Sequence, residues 1–373
     1  SQGGLHVRIS SWDPEMIQIQ VFEPPGVNLG ENRQKDIEKY YGRQDFRRAF
    51  YSEFGELEFP DRAMETYVRG LQNCWDVERI RSRAYRLVID YSYSPASLTL
   101  PNILGSLGTE VLSMRAFNDQ RHASLAAEEL GANIQEVQRL VRTMEADMGI
   151  IIGPGAERIY IVDERGQEVP LEKALLLFVK LVAQHAAKGE KIVLPLTVTS
   201  LAEQLAGEFG IEVQRTKVSL PALARAATAD GVVFAGSLGG GYIFPEFLPA
   251  FDSVMSLGKL LELLAPQAET LSEQVAQIPA STLVHKTVAC PWSLKGTVMR
   301  TATEDLQRDL GGDGEISLVD GIQLRRVGGW VQLLPDADEP VFHVYAEGAD
   351  HDDSERLAES FLDVVRSVIR DNT

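Results

Sequence analysis

Four short stretches hold the side chains of this 373-residue chain that could do chemistry: Ser10-Ser11-Trp12-Asp13-Pro14, Gly153-Pro154-Gly155-Ala156-Glu157-Arg158, Gly236-Ser237-Leu238-Gly239-Gly240-Gly241-Tyr242 and Pro335-Asp336-Ala337-Asp338-Glu339-Pro340. Each follows a run of strand-forming residues, and ligands of doubly wound sheets collect outside the carboxyl ends of strands. The second stretch offers one carboxylate, Glu157, and one guanidinium, Arg158. A hard divalent cation asks for several oxygen ligands, so a lone carboxylate predicts no metal site. Arg158 can meet a phosphate or carboxylate of a ligand, or form an ordinary ion pair with a neighbour. In the third stretch four glycines leave backbone that a ligand can approach, or that a turn with positive φ requires. Ser237 and Tyr242 flank those glycines, and Tyr242 reads equally well as a core aromatic. The fourth stretch carries three acidic residues, which repel phosphate.

Other candidates are weaker. The six histidines show no HxxxH or HExxH spacing, and no zinc site is expected. Asp350-His351-Asp352-Asp353 reads as a solvated helix start, and Gly311-Gly312-Asp313-Gly314-Glu315 as a turn. Cys74 and Cys290 lie far apart and read as small buried side chains, which fits a reducing cytoplasm.

The elements that position these loops follow from periodicity. Leu5–Ser10 and Ile17–Phe22 alternate like strands, and a helix is expected from Glu31 to about Arg48 with Ile37, Tyr40 and Tyr41 on one face. From Ala63 onward helices alternate with near-continuous apolar strands, Arg86–Asp90, Glu110–Met114 and Gly149–Ile152, then Lys191–Leu196, Glu212–Thr216 and Gly231–Ala235. This predicts parallel sheets covered on both faces. The last stretch, with a helix at Thr301–Leu310, four short strands and a final helix at Asp353–Ile369, predicts a small α+β domain. The expected boundaries are 1–62, 63–166, 167–280 and 281–373, with the first domain incomplete.

Composition limits the partners. The chain is 44% hydrophobic and 24% charged, which is globular, and its net charge of −18 disfavours nucleic acid and anionic membranes. The most apolar stretch, Ala174–Ala187, is interrupted by Lys180, Gln184 and His185 and reads as a buried helix, not a membrane span. No charged-then-apolar leader is recognisable at the start.

The order and spacing of the four loops, together with Gly241-Tyr242-Ile243-Phe244-Pro245-Glu246-Phe247 and Gly329-Trp330-Val331-Gln332-Leu333-Leu334-Pro335, resemble the α-D-phosphohexomutase superfamily of phosphomannomutases and phosphoglucomutases. The segment Cys290-Pro291-Trp292-Ser293-Leu294-Lys295-Gly296-Thr297-Val298-Met299-Arg300 is similar to mutase-like regions fused behind mannose-1-phosphate guanylyltransferases. The resemblance implies consecutive three-layer α/β/α domains and a smaller α+β domain. It aligns Ser10 with the serine that carries the phosphoryl group in Thr-Ala-Ser-His-Asn-Pro, without the His-Asn pair. It aligns Gly153, Gly155 and Glu157 with the three carboxylates of the magnesium loop Asp-Gly-Asp-x-Asp-Arg, and retains Arg158. In the sugar loop the glutamate is lost, and in the final loop, Arg-Pro-Ser-Gly-Thr-Glu-Pro in the family, Leu334 replaces the arginine and aspartates replace serine and threonine.

These departures lead to the expectation of a catalytically inactive mutase-fold region of a guanylyltransferase-type protein, kept for assembly or regulation, with no cofactor. A nucleotidyltransferase domain of the same polypeptide, a sugar phosphate or nucleotide sugar, and a second copy of the chain are the expected partners. The alternative is an active phosphomannomutase or phosphoglucomutase, using magnesium, built around Ser10, Glu157 and Arg158. A third reading is a sensor that binds a sugar phosphate or nucleotide sugar without turnover.

Overall fold

In this computed structural model, which describes residues 3–11, 13–24, 26–44, 46–309, 314–336 and 339–372, the chain divides into two compact units, residues 1–194 with 202–278, and residues 195–201 with 279–373. Trp12, Gly311–Asp313, Ala337 and Asp338 of the sequence motifs lie outside the described residues.

The first unit begins with an antiparallel sheet, β1 (Gly4–Ile9), β2 (Ile17–Glu23) and β3 (Val27–Asn28), in which Ile9 faces Ile17. Its alternation is real, but its faces are inverted relative to an ordinary half-buried sheet. Leu5, Val7, Ile9, Ile17 and Ile19 are between 42% and 68% exposed, while Arg8 and Gln18 on the other face are half-buried. The polar face is the one turned to the neighbouring loops. Helix α1 (Glu31–Arg43) stops short of Arg48 because Gln44 takes a left-handed conformation, φ 53°, and returns its N–H to the Tyr40 and Tyr41 carbonyls. Ile37, Tyr40 and Tyr41 remain exposed, so the expected apolar face is not buried.

After α2 (Ala63–Cys74) and α3 (Val77–Arg83) comes a five-stranded sheet, order β5-β4-β6-β7-β8. In it β4 (Arg86–Asp90) pairs in parallel with β5 (Glu110–Met114) and β6 (Met148–Ile152), covered by α4 (Leu100–Ser106) and α5 (Ala127–Met144). β7 (Ile159–Asp163) turns back antiparallel on β6, followed by β8 (Glu168–Val169), so the sheet is mixed where a parallel one was expected. Gly149 lets α5 approach β6: a Cβ there would stand 2.4 Å from Val137 Cγ1. At the end of β4 the fully buried Asp90 accepts from Arg115 Nε at 2.8 Å, Arg115 Nη2 at 2.7 Å and the Ser92 N–H at 2.9 Å. Ser92 and Tyr93 beside it are left-handed, φ 44° and 57°.

A four-stranded sheet follows, order β10-β9-β11-β12, from β9 (Lys191–Pro195), β10 (Glu212–Thr216), β11 (Val232–Gly236) and β12 (Tyr242–Ile243). Its helices are α6 (Leu171–His185), α7 (Leu201–Gly207), α8 (Leu220–Ala227), α9 (Ser253–Leu264) and α10 (Leu271–Ala276). α6 is the apolar stretch of the sequence, and it buries Lys180 by giving its ammonium to Gln274 at 3.2 Å and Gln277 at 2.6 Å. Among the described residues no helix is long and apolar enough to cross a membrane.

The second unit is an antiparallel sheet, order β13-β17-β16-β15-β14, from β13 (Val284–Ala289), β14 (Glu315–Ser317), β15 (Ile322–Arg326), β16 (Gly329–Pro335) and β17 (Val341–Glu347). Alternate residues Val331, Leu333, Phe342, Val344 and Ala346 form its core with Val298 and Ala302 of α11 (Trp292–Asp309) and Leu357, Phe361 and Val365 of α12 (His351–Asn372). α11 starts well before Thr301, directly after Pro291. At the end of β17 the buried Glu347 accepts from Ser200 N–H at 2.9 Å, Ser200 Oγ at 2.8 Å, Trp330 Nε1 at 2.6 Å and the Thr199 hydroxyl, which ties residues 195–201 to this sheet.

Candidate functional site

Ser10 closes β1. Its N–H donates to the Met16 carbonyl at 2.8 Å, one step beyond the Ile9 and Ile17 pair, and the period of two puts Ser10 on the same side as Arg8. Ser10 is buried, and so is Ser11, whose carbonyl accepts from Leu125 N–H at 3.0 Å.

The stretch Gly153–Arg158 is the tight link between β6 and β7. The Gly153 N–H donates to the Arg158 carbonyl at 3.0 Å and the Ala156 N–H to the Gly153 carbonyl at 2.8 Å. Ala156 is left-handed at φ 53°, which costs a residue with a Cβ about 1–2 kcal/mol. Ser253, at the start of α9, holds that conformation by giving both its N–H, at 3.0 Å, and its hydroxyl, at 2.7 Å, to the Ala156 carbonyl.

Arg8 reaches across to this loop. Its Nη2 lies 2.8 Å from each carboxylate oxygen of Glu157, and its Nε donates to Gln18 Oε1 at 2.9 Å. Gly155 accommodates the approach: a Cβ there would lie 2.9 Å from both Arg8 Nη1 and Ser11 Oγ. The donor set therefore does not suit a divalent cation. Positions 153 and 155 supply no carboxylate, and Glu157 is already paired with a guanidinium. Among the described residues no three His, Cys, Asp or Glu side chains converge as a metal site.

Arg158 stands on the other side of the same loop. It is half-buried, burial holds its pKa below the ordinary arginine value, and it packs against Gly239, where a Cβ would be 2.9 Å from Nη1. The glycine loop is joined to it through the backbone: the Ile159 N–H donates to the Gly240 carbonyl at 3.1 Å, and Arg158 bridges antiparallel to Gly241. Gly240 must be glycine, at φ +78° and with a Cβ position 2.7 Å from the Ile159 carbonyl oxygen. Ser237 forms the turn, its N–H donating to the Gly241 carbonyl at 3.0 Å and its carbonyl accepting from Gly240 at 3.4 Å.

Tyr242 does not join this set. It is fully buried, with ring centroid 4.3 Å from that of Phe178, and among the described residues its hydroxyl has no hydrogen-bond partner. Burial pushes its pKa well above the ordinary tyrosine value. An unpaired buried hydroxyl costs about 1–3 kcal/mol. Tyr242→Phe is therefore expected to hold or raise stability by up to about 1 kcal/mol in urea unfolding, with ligand binding unchanged. A loss of sugar phosphate affinity would return Tyr242 to the site.

The acidic loop, in the second unit, is less bare than its sequence suggests. Lys295 of α11, stacked 3.8 Å from the Trp292 ring centroid, donates to the carbonyls of Asp336, at 2.5 Å, and Glu339. Asp336 also accepts from the Glu339 N–H at 2.7 Å and lies 2.8 Å from His343 Nε2. His343 Nδ1 is in turn 2.9 Å from His285 Nε2, and His285 stacks on Tyr345. Desolvation of the His285 ring and then the neighbouring His343 charge hold His285 below the usual histidine pKa. A histidine depressed in the folded state contributes stability that is complete above its unfolded pKa of about 6.5 and is lost as pH falls through that value toward the folded one. The protection factors of β13 and β17, taken against the intrinsic exchange rate at each pH, are expected to fall between about pH 7 and pH 5, less so in His285→Phe. Equal pH dependence in the two proteins would refute this.

Three-layer α/β/α domains in series, with a strand-end serine facing the loops of the next domain and a small antiparallel domain after them, define a phosphohexomutase fold. The comparisons agree. Residues 65–166 match the profile "Phosphoglucomutase/phosphomannomutase, alpha/beta/alpha domain II" and residues 172–281 that of domain III, and the chain belongs to this family. It is similar to a probable phosphoglucosamine mutase of Methanopyrus kandleri, 27% identical over 368 residues covering 99% of this chain and 80% of that protein. A phosphoglucomutase/phosphomannomutase of Thermococcus kodakarensis is 28% identical over 364 residues, 98% of this chain and 78% of that one. Among solved structures, a phosphoglucomutase/phosphomannomutase family protein of Burkholderia thailandensis superposes with TM-score 0.78 at 18% identity, covering 98% of this chain and 76% of that one. An Aspergillus fumigatus N-acetylphosphoglucosamine mutase, TM-score 0.55 at 13% identity over 84% of this chain and 67% of that one, was solved with GlcNAc-6P and magnesium.

These findings correct the expectation of an inactive region of a guanylyltransferase-type protein. The relatives of Methanopyrus kandleri and Thermococcus kodakarensis are named as mutases and match over nearly the whole of this chain. The expectation of no cofactor draws no support from a relative that holds magnesium. The physical reason for the misreading lies in space. Comparing loops position by position counts the side chains lost from each loop and misses those that arrive from elsewhere, Arg8 and Ser11 from β1 and its end, Ser253 from α9, and Lys295 beneath the acidic loop. The alternation Arg8-Ile9-Ser10 was the one signal that could have found Arg8.

Proposed function

We propose that the chain is a working phosphohexomutase that moves a phosphoryl group between the 1- and 6-hydroxyls of a hexose or hexosamine phosphate. What carries the reading is the buried Ser10 beside Arg8, which reaches the loop bearing Glu157 and Arg158, in a chain that matches glucosamine, glucose and mannose phosphate mutases almost end to end. Ser10 Oγ is the phosphoryl carrier. As the sugar hydroxyl oxygen bonds to phosphorus, the bond from phosphorus to Ser10 Oγ breaks, and the hydroxyl proton passes through solvent to Ser10 Oγ. The sugar bisphosphate so formed turns over, and the reverse step at its other phosphate restores phosphoserine. Arg158 pairs with a ligand phosphate and Ser237, with the open backbone beside it, meets sugar hydroxyls. The ligand is then a sugar phosphate, and the place of action the cytoplasm, in keeping with two free cysteines.

The test is conversion of glucosamine 1-phosphate, glucose 1-phosphate or mannose 1-phosphate to the 6-phosphate, primed with the matching 1,6-bisphosphate, with intact-mass measurement of the protein afterwards. Turnover together with one added phosphoryl group supports the reading. Absence of both with all three sugars ends it.

A further inference from the structure

Moving a phosphoryl group requires positive charge against its equatorial oxygens. In the fungal relative a magnesium ion accompanies the sugar phosphate, whereas here the donor set at 153, 155 and 157 does not suit one. We propose that the guanidinium of Arg8 takes the place of the divalent cation, as the fixed positive group that receives the phosphoryl oxygens at Ser10, so that phosphate binding and transfer proceed without added metal. The proposal rests on the mutase reading, and binding is its readout so that the two can fail separately.

Three observations carry it. Arg8 is positioned before any ligand arrives, since Glu157 fixes Nη2 and Gln18 fixes Nε, and its side chain is only 17% exposed, where charge is weakly screened. Its remaining nitrogen, Nη1, and Ser11 Oγ converge over Gly155, each 2.9 Å from where a Cβ would sit. Ser11 is 3% exposed, and among the described residues its buried hydroxyl has no hydrogen-bond partner, a donor and acceptor left for a group that enters beside Arg8. The planar fork of arginine matches phosphate oxygens, which a point charge does not.

The charge balance also survives the exchange. A divalent cation within three carboxylates leaves its loop net negative, whereas Arg8 and Glu157 cancel, so the exchange does not make the loop less receptive to phosphate. The missing carboxylates and the added guanidinium fit one another, because a side chain at 155 would strike Arg8.

The experiment is calorimetric titration of glucose 1,6-bisphosphate into chelator-treated protein, without metal and with magnesium. Wild-type affinity is expected to differ less than about twofold between the two conditions, and Arg8→Gln to bind at least about tenfold more weakly in both. Should Arg8→Gln fail to fold, Gly155→Ala displaces the guanidinium instead and is expected to weaken binding severalfold. Binding by wild type only when magnesium is present, or wild-type affinity in both variants, overturns the proposal, and no binding under either condition does so too. Magnesium-dependent turnover would sink this proposal and leave the mutase reading intact. Metal-free, Arg8-dependent binding without turnover would end the mutase reading and with it the transfer part of this proposal, and would leave Arg8 as a phosphate-binding residue only.

Discussion

Ser10→Ala is expected to lower hexose phosphate turnover by more than about a thousandfold, because it removes the oxygen that bonds phosphorus and leaves the protein with no phosphoryl group to donate. The change is small where packing is concerned. Ser10 keeps its place through its backbone N–H to the Met16 carbonyl, which alanine retains, and the strand it closes is paired along its length. Thermal melts should therefore superpose while activity disappears, and intact mass should show no phosphorylated fraction after priming. If Ser10→Ala still turns over and Ser11→Ala does not, the neighbouring hydroxyl is the carrier and the alignment of this loop is off by one.

Asp90→Ala acts on stability instead. Asp90 is fully buried and receives two nitrogens of Arg115 and one backbone N–H, and breaking a buried ion pair by removing one partner costs about 3–5 kcal/mol. Arg115 keeps a second carboxylate, Glu136 at 3.1 Å, so the lower end of that range, about 3 kcal/mol, is expected. The Ser92 bond that Asp90 provides also steadies the first of two consecutive left-handed residues. For a unit of this size the melting temperature should fall by about 6–12 °C. A fall of less than about 2 °C would show that the surrounding loop, not the ion pair, supports this end of the sheet.

Much of the framework is legible in residue order, and the reasons are local. Glu110–Met114 and Glu212–Thr216 form strands with the bounds their alternation suggests, since glycine or a polar break flanks each. The start of α5 at Ala127 is not legible, because its first turns are largely exposed and carry no apolar period to read. The antiparallel turn of β7 on β6 is likewise invisible in strands that are apolar on both faces, where parallel and antiparallel neighbours demand the same residues. For the site, the strand-end rule pointed to Gly153–Arg158 and to the glycine loop, which the structure places side by side. It could not show that Arg8, on a different element, pairs with Glu157 and lies against Gly155.

The rung of backbone pairing between Ile159 and Gly240 has a bearing on engineering. The loop that would choose the sugar and the loop that would face the moving phosphate are neighbours on one short ladder, with Gly239 beneath Arg158. A transplant of the glycine loop alone from a relative of different sugar preference would arrive without its complementary strand and would push Arg158 aside wherever it brought a Cβ to 239. The two loops form a single cassette, to be exchanged together or not at all.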